Sequence, residues 1–467
     1  MYNFVIRNIT NKYDFTELIK IFISPDEFSA YTEEEFENIS QDEKSSGETV
    51  YFNNELSEDK NLIKREIYSF LSDLTGKIPP WGILTGVRPV KLTGEIFERT
   101  GNEKSVVNEL LNTYLLSIEK ADLLIDTYKY QQKVCGKADP ASVGVYIGIP
   151  FCPTRCLYCS FTSNQVPDSE IARYLEALKK EIEYTGRRMR ETGLWPESIY
   201  IGGGTPTTLN ESQLDKLLTA VEENMDLSRT EEFTVEAGRP DTITLEKLEV
   251  IKKHGIQRIS INPQSMKEKT LELIGRSHSP DDIVKAFQKS DSAGISIVNA
   301  DIIAGLPEEE PEDFAETLRR ILELDPENIT VHTLAVKRAS RLVEMDKDYH
   351  YRQAARVKKM LEISKEMLEE AGYMPYYLYR QKHMAGAFEN VGYCKEGTPC
   401  IYNIRIMEER QTVLALGAGG ISKMYYPEEN RLERVPNVSN YEIYISRLDE
   451  MLDRKEKNIF MEVEKGC

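Results

Sequence analysis

The chain has 467 residues, with 59 Lys and Arg against 78 Asp and Glu and a net charge of −19, enough length for two or three domains and too acidic a balance for a broad nucleic-acid face. No run of about 18 apolar residues marks a membrane span, and the opening MYNFVIRNITNKYDF carries no secretory signal. A cytoplasmic location is therefore expected, where seven cysteines point to metal or redox chemistry rather than to disulfides.

Residues 1–140 read as an N-terminal extension domain. Its acidic stretch YTEEEFENISQDEKSSGE (31–48) reads as a solvated loop or hairpin flank. Helical periodicity appears in NLIKREIYSFLSDLTG (61–76) and again across 103–130. Between them, PPWGILTGVRPVKL (79–92) is rich in Pro and Gly and reads as a buried structural turn, with substrate contact through Arg88 and Lys91 as the alternative.

From residue 141 to 345 strands and helices alternate. VGVYIGI, SIYIGGG, EEFTVEA, IQRISIN, ISIVNADII and NITVHTLAV are rich in β-branched residues and bounded by turns, and amphipathic segments follow them. Six consecutive βα units imply parallel strands with right-handed crossovers. Since a closed barrel needs eight, the predicted fold class is α/β, a partial (βα)6 barrel. Chemistry on such a fold gathers where the strands end, and the polar residues fall there: Cys152, Gly202 to Gly204, Glu236, Asn262 and Gln264, Asp301, and His332 to Lys337. His332 itself reads as a satisfied core residue. Residues 346–467 read as a smaller C-terminal α+β domain set against the barrel opening.

GIPFCPTRCLYCSF (148–161) places Cys152, Cys156 and Cys159 in a C-x3-C-x2-C arrangement, with the next cysteine at 394. A structural zinc site needs a fourth ligand. An iron–sulfur cluster on three cysteines leaves one iron open to a ligand or substrate. Cys394 and Cys400, in GYCKEGTPC, read as two free thiols, with a second cluster as the alternative.

The aromatic C-x3-C-x-Y-C spacing and the partial barrel resemble the radical S-adenosylmethionine (SAM) enzymes. In these the open iron of a [4Fe-4S] cluster chelates SAM, and an electron from the cluster yields a 5'-deoxyadenosyl radical. IGGGTPTTL (201–209) lacks the Lys-Ser/Thr of a phosphate loop and fits a backbone that approaches the methionine part of SAM closely. With YIGGGTPT, TVEAGRPDTI, RISINPQS, LELIGRSHS, NADIIAGLP and GAGGISK, the chain resembles the oxygen-independent coproporphyrinogen III oxidase family. VHTLAVKRAS, PYYLYRQK and the N-terminal extension make it most similar to the HemZ, coproporphyrinogen dehydrogenase, branch.

The resemblance implies Cys152, Cys156 and Cys159 as cluster ligands. It implies SAM contacts at Tyr146, Tyr158, Gly203, Gly204, Thr205, Glu236, Gln264, Arg276, Asp301, Ala335 and Ile421. Two positions depart from the family pattern: Gly148 stands where a histidine is usual, and Phe161 where an additional cysteine is usual. The implied activity is oxidative decarboxylation of coproporphyrinogen III to protoporphyrinogen IX. In it a hydrogen leaves the β-carbon of a propionate, then carbon dioxide and an electron depart to leave a vinyl. Partners would be a tetrapyrrole (coproporphyrinogen III or haem) and a low-potential electron donor such as flavodoxin or ferredoxin. Neither nucleic acid nor a membrane span is expected. A tetracarboxylate calls for cations and aromatic surfaces, and Lys337, Arg338, Arg380 and Lys382, among Tyr376, Tyr377 and Tyr379, are the candidate substrate contacts. A haem chaperone of the same family, and a radical SAM methyltransferase or ring-opening enzyme acting on haem, are the alternatives.

Overall fold

The computed structural model describes residues 1–45, 47–53, 59–160, 163–335, 342, 353–381 and 385–466. Its first unit is a small parallel sheet of β1 (Tyr2–Ile6), β2 (Phe28–Thr32) and β3 (Glu48–Phe52), ordered β2-β1-β3. The helices Tyr13–Phe22 and Lys60–Thr75 bury Phe4, Phe15, Leu18, Phe22 and Ile67 together with Phe52. The acidic stretch is thus no hairpin flank, because β2 and β3 both run parallel to β1 and need a crossover between them. It supplies two short helices, Glu33–Asn38 and Gln41–Lys44. Thr32 and Ser40 each cap one helix, with Glu35 and Glu43 returning the bond to the cap backbone.

The periodicity over 103–130 divides into two helices, Glu103–Asn112 and Ile118–Val134, because Leu115 takes a left-handed conformation (φ 57°) and Ser117 caps the second. The loop at 79–92 is a buried structural turn. Trp81 is 1% exposed and its Nε1 donates to Glu389 Oε2 at 2.7 Å. Pro89 opens the helix Pro89–Thr100, where a missing N–H costs nothing.

Among the described residues the main sheet has eleven strands. At its centre β4 (Ser142–Ile149), β5 (Trp195–Gly203), β6 (Glu232–Gly238), β7 (Arg258–Gln264), β8 (Ile297–Ala304) and β9 (Asn328–Thr333) run parallel in sequential order. The helices Asp168–Thr192, Glu211–Asn224, Leu245–Lys253, Pro280–Ser292 and Pro311–Glu323 join them. These are the βα units of the predicted partial barrel. Their apolar residues alternate along each strand, such as Ile199 and Ile201 or Ile259 and Ile261, and pack in the core, while the residues of the other parity, such as Tyr200, Glu236 and Asp301, face the barrel interior.

The C-terminal α+β region is hydrogen-bonded into this same sheet at both edges. β11 (Glu389–Cys394) lies antiparallel to β9, and β10 (Met374–Arg380) lies outside it. At the opposite edge β12 (Thr412–Leu416) runs parallel to β4, followed by β13 (Ile421–Tyr426) and β14 (Arg431–Pro436). The GAGG turn between β12 and β13 is fixed from behind. Glu181, fully buried on the helix Asp168–Thr192, accepts from Gly417 N, Asn437 Nδ2, Tyr444 Oη and Lys455 Nζ at 2.5–2.9 Å. Among the described residues no helix is long and apolar enough to cross a membrane.

Candidate active site

A cavity of about 510 Å³ opens at the C-terminal ends of β4 to β9. Its lining includes the three clustered cysteines and Tyr146, Tyr158, Gly203, Gly204, Thr205, Glu236, Gln264, Arg276, Asp301 and Ala335. Residues scattered over 190 positions of sequence therefore line one cavity, because they lie on the barrel strands or in the connections that follow them.

The cysteine loop leaves β4 at Pro150 and is pinned to the far side of itself. Cys152 N donates to the Asn164 carbonyl at 3.1 Å, and Asn164 N returns to the Pro150 carbonyl at 2.9 Å. Leu157 N reaches the Ile274 carbonyl at 2.9 Å, tying the loop to the segment that carries Arg276. Cys152 Sγ lies 3.4 Å from Thr205 Oγ1, and burial pushes the Cys152 thiol up to about 11. A thiolate there needs a strong positive partner, which iron supplies. Among the described residues no three His, Cys, Asp or Glu side chains close around a single ion; ligands of an iron–sulfur cluster stand further apart than those of one ion.

The glycine strand end is shaped by what it must avoid. A Cβ on Gly204 would stand 2.4 Å from the Phe151 carbonyl oxygen and 2.9 Å from Cys152 Sγ, and Gly203 has φ 118°. Only glycine lets this backbone pass beside the cysteine loop. Glu236, next along the wall, accepts from Tyr200 Oη at 2.6 Å and from Gly203 N at 3.3 Å. Burial, and then nearby Asp301, raise its carboxyl to about 7 in spite of the Tyr200 bond. Asp301 accepts from Asn299 Nδ2 at 2.7 Å and lies 3.6 Å from His332 Nε2.

Several buried groups at the mouth lack partners of their own. Arg276 donates through Nη2 to Tyr158 Oη at 3.1 Å, while its Nε and Nη1 are buried without a hydrogen bond. Gln264 Oε1 is equally orphaned, on a residue held at φ 67°. Burial opposes the Arg276 charge, yet Tyr158 and Cys156 outweigh it and keep the guanidinium charged. Orphaned donors and acceptors aimed into one cavity fit a polar ligand that completes them.

Some residues invisible to sequence reasoning join this wall. Arg239, inside TVEAGRPDTI, is clamped by Asp241 through two 3.0 Å bonds and by Ser277, and its Nη1 lies 4.0 Å from Cys156 Sγ. Tyr200 pairs in register with Tyr146 across β4 and β5, so the alternation Tyr200, Gly202 was its signal. Tyr402, on the helix Ile401–Glu408, stacks on Tyr200 with centroids 4.7 Å apart. Opposite the cysteines stand Tyr377 and Tyr379, and His332 Nδ1 lies 3.3 Å from Tyr379 Oη. His332 lines the cavity rather than the core.

Other expected contacts fall elsewhere. Ile421 opens β13, 47% exposed, away from the cavity lining. Arg380 is 5% exposed: its guanidinium donates to the carbonyls of Ala387 and Leu84 and lies 4.8 Å over Trp81. Strand alternation explains this, since Tyr377 and Tyr379 take the cavity face and residue 380 the other. Lys337, Arg338, Lys382 and Phe161 lie outside the described residues. Cys394 and Cys400 are buried thiols, the former pushed up to about 12 by burial, the latter donating to Glu232 Oε1 at 3.1 Å.

Comparison with known proteins gives this geometry a family. Residues 146–321 match the Radical SAM superfamily. The oxygen-independent coproporphyrinogen-III oxidase-like protein HemZ of Bacillus subtilis (strain 168) is 38% identical over 403 residues, covering 85% of this chain and 80% of its own. The heme chaperone HemW of the same organism is 35% identical over 196 residues, 41% of this chain and 50% of its own. The solved coproporphyrinogen III oxidase HemN of Escherichia coli shares the fold, with a TM-score of 0.53 and 22% identity over 70% of this chain and 73% of its own. The superfamily's cofactors, a [4Fe-4S] cluster and SAM, come with this match, and the three thiols, the glycine cradle and the orphaned polar groups fit them. The chain belongs to the radical SAM family that holds the oxygen-independent coproporphyrinogen III oxidases and their HemZ and HemW relatives.

Proposed function

We propose that the chain is a radical SAM enzyme acting on a tetrapyrrole, in the simplest case removing carbon dioxide from propionate side chains of coproporphyrinogen III. The observation that carries this reading is the pairing of two unlike kinds of lining in one cavity. Cysteines and orphaned polar groups form one, and Tyr377, Tyr379 and the stacked Tyr146, Tyr200 and Tyr402 supply aromatic surface for a macrocycle. Its extent supports the HemZ branch: a match of 403 residues is longer than the stretch from 141 to 467 and so reaches into the N-terminal region.

In this reading Cys152, Cys156 and Cys159 hold the cluster. When bound, cluster and SAM supply a carbon-centred radical able to take a hydrogen atom, with the electron drawn from a low-potential donor. This chain's own residues bind and orient. The backbone of Gly203 and Gly204, with Glu236, would receive the methionine ammonium, and Gln264 and Arg276, beside Asp301, would complete their missing bonds on the same ligand. Thr205 steadies Cys152, and Arg239 and Arg276 place positive charge beside Cys156, offsetting the negative charge of thiolate-bound iron. Tyr146, Tyr158, Tyr200 and Tyr402 stay protonated, because burial raises them all.

The test is anaerobic. Reconstituted protein receives SAM, a strong reductant and coproporphyrinogen III, and products are followed by mass spectrometry. Protoporphyrinogen formed in step with 5'-deoxyadenosine, both abolished by Cys156→Ala, is the expected result. Stable haem binding without any change in coproporphyrinogen would replace it with the chaperone reading.

A further inference from the structure

A tetracarboxylate needs cations, and Arg380 is committed to backbone carbonyls on the far side of β10. The fold assembles a different set from two motifs far apart in the sequence. Arg88, from the loop at 79–92, reaches Glu409 Oε1 with its Nη2 at 2.9 Å. Lys423, the last residue of GAGGISK, lies 3.5 Å from the same oxygen, and Arg434 on the neighbouring β14 lies 3.8 Å from it.

Three cations thus surround one carboxylate, in a chain whose overall charge is strongly negative. Arg88, Glu409 and Lys423 are only 22%, 12% and 10% exposed, so water compensates the second of these two buried cations poorly, while Arg434 stands 59% exposed at the rim of the cluster. Arg88 Nε is buried without a hydrogen bond. Burial, working against the attraction of Glu409 and helped by Arg88, pushes the Lys423 ammonium down to about 8. Closing the helix Ile401–Glu408 explains one cation, since Lys423 Nζ lies 3.5 Å from the Ile406 carbonyl at its negative end. It does not explain three. Glu409 holds a left-handed φ of 52° at the end of this helix, where glycine is the usual residue.

None of the four side chains lines the cavity itself, but two chain connections tie the cluster to its lining. Met407, two residues before Glu409, lines the cavity. The carbonyl of Val87, adjacent to Arg88, accepts from the amide of Arg380, whose neighbours Tyr379 and Gln381 line it too.

We propose that Arg88, Lys423 and Arg434, converging on Glu409 two residues beyond the cavity-lining Met407, form an anion site that holds a propionate carboxylate of the tetrapyrrole. This rests on the tetrapyrrole reading. The bound carboxylate takes the place that Glu409 alone cannot fill, and Arg88 presents a fork suited to it. The site fixes which propionates stay anchored while another faces the cysteine wall.

The experiment titrates the full-length protein with coproporphyrin III and with its tetramethyl ester, which lacks the charges, following porphyrin absorbance and fluorescence. Arg88→Gln and Lys423→Met are each expected to weaken the free acid about tenfold, leaving the ester and SAM binding unchanged. Glu409→Gln removes the competing carboxylate and is expected to tighten the free acid, a gain that a merely helix-closing cluster does not give. Equal affinity of wild type and all variants for the free acid overturns the proposal, as does a loss matched by the ester. If the wild type binds neither porphyrin, the tetrapyrrole reading fails and the propionate assignment with it. Inorganic phosphate then tests the cations by themselves: a rise in melting temperature absent from Arg88→Gln and Lys423→Met retains an anion site for another ligand, and no difference removes it.

Discussion

Glu181, behind the barrel, and Glu236, at its mouth, are both carboxylates withdrawn from bulk water, and their surroundings differ. Glu181 accepts four hydrogen bonds and touches Lys455, itself fully buried. Burial alone would raise its pKa, but Lys455 and Tyr444 hold it below the usual value. Glu236 has one hydroxyl and one weak amide, a second carboxylate nearby, and a carboxyl raised to about 7. The first site is complete in the protein by itself. The second is complete only with something added, as are Gln264 and Arg276 beside it. Substitutions should therefore have opposite signs in the two places: harmful to stability behind the barrel, favourable to the empty protein at its mouth.

The largest effect belongs to Lys455→Met. It keeps the volume but strands the Glu181 charge, which costs about 3–5 kcal/mol. Because the stranded carboxylate is driven towards protonation, the variant should lose further stability as pH rises, seen as a falling urea midpoint between pH 6 and 8 on the order of the shift expected for a buried carboxyl. An unchanged midpoint would mean that the network around Gly417 does not hold the C-terminal strands to the barrel.

Glu236→Gln comes next, with the sign reversed. A carboxyl raised in the folded state gives stability that is fully present below its unfolded pKa of 4.5 and lost as pH rises through about 7. The loss is at most about 3 kcal/mol, less where cavity water screens the group. The glutamine carries no such loss, so the cofactor-free variant should melt higher than wild type above pH 7 and equally near pH 4.5. SAM affinity should move the other way. In the wild type it rises with pH through about 7 as the carboxylate forms, and in Glu236→Gln it is weak and flat, as calorimetric titration across this range would show.

The same contrast explains what could be read from the sequence. The cysteine loop, GGGTP and the strand ends of the barrel are legible because their chemistry admits few residue types: thiols for iron, glycine where a Cβ meets the Phe151 carbonyl, β-branched residues for the buried face of each strand. The aromatic lining is not. Tyr402 reaches the cavity from a helix that carries no motif, by way of a sheet edge whose partner strand lies some 270 residues earlier in β4. Arg380 was misplaced although the signal was present, since its parity along β10 differs from that of Tyr377 and Tyr379. The capping boxes Thr32 to Glu35 and Ser40 to Glu43 are equally visible, yet in the sequence their carboxylates read as solvated charge. Charge at a helix start and charge in a loop look alike until the serine or threonine three residues earlier is counted.

The smallest effect, and the sharpest test of the idea that the mouth is strained for its ligand, is Gln264→Gly. Gln264 ends β7 with φ 67°, a conformation that costs a side-chain-bearing residue about 1 kcal/mol or more and glycine almost nothing. Its Oε1 is buried without a partner, which adds a desolvation cost. Against these gains stand the added backbone freedom of glycine in the unfolded chain and the lost packing of a side chain only 6% exposed. The balance favours the variant by about 1 kcal/mol or less, so its cofactor-free melting temperature should stay level or rise by a few degrees. SAM binding should fall, because the amide that would complete its bond on the ligand is gone. A variant that melts clearly lower and binds SAM as well as wild type would show that Gln264 serves the fold, and would leave Glu236 and Arg276 as the groups at the mouth whose missing bonds a ligand supplies.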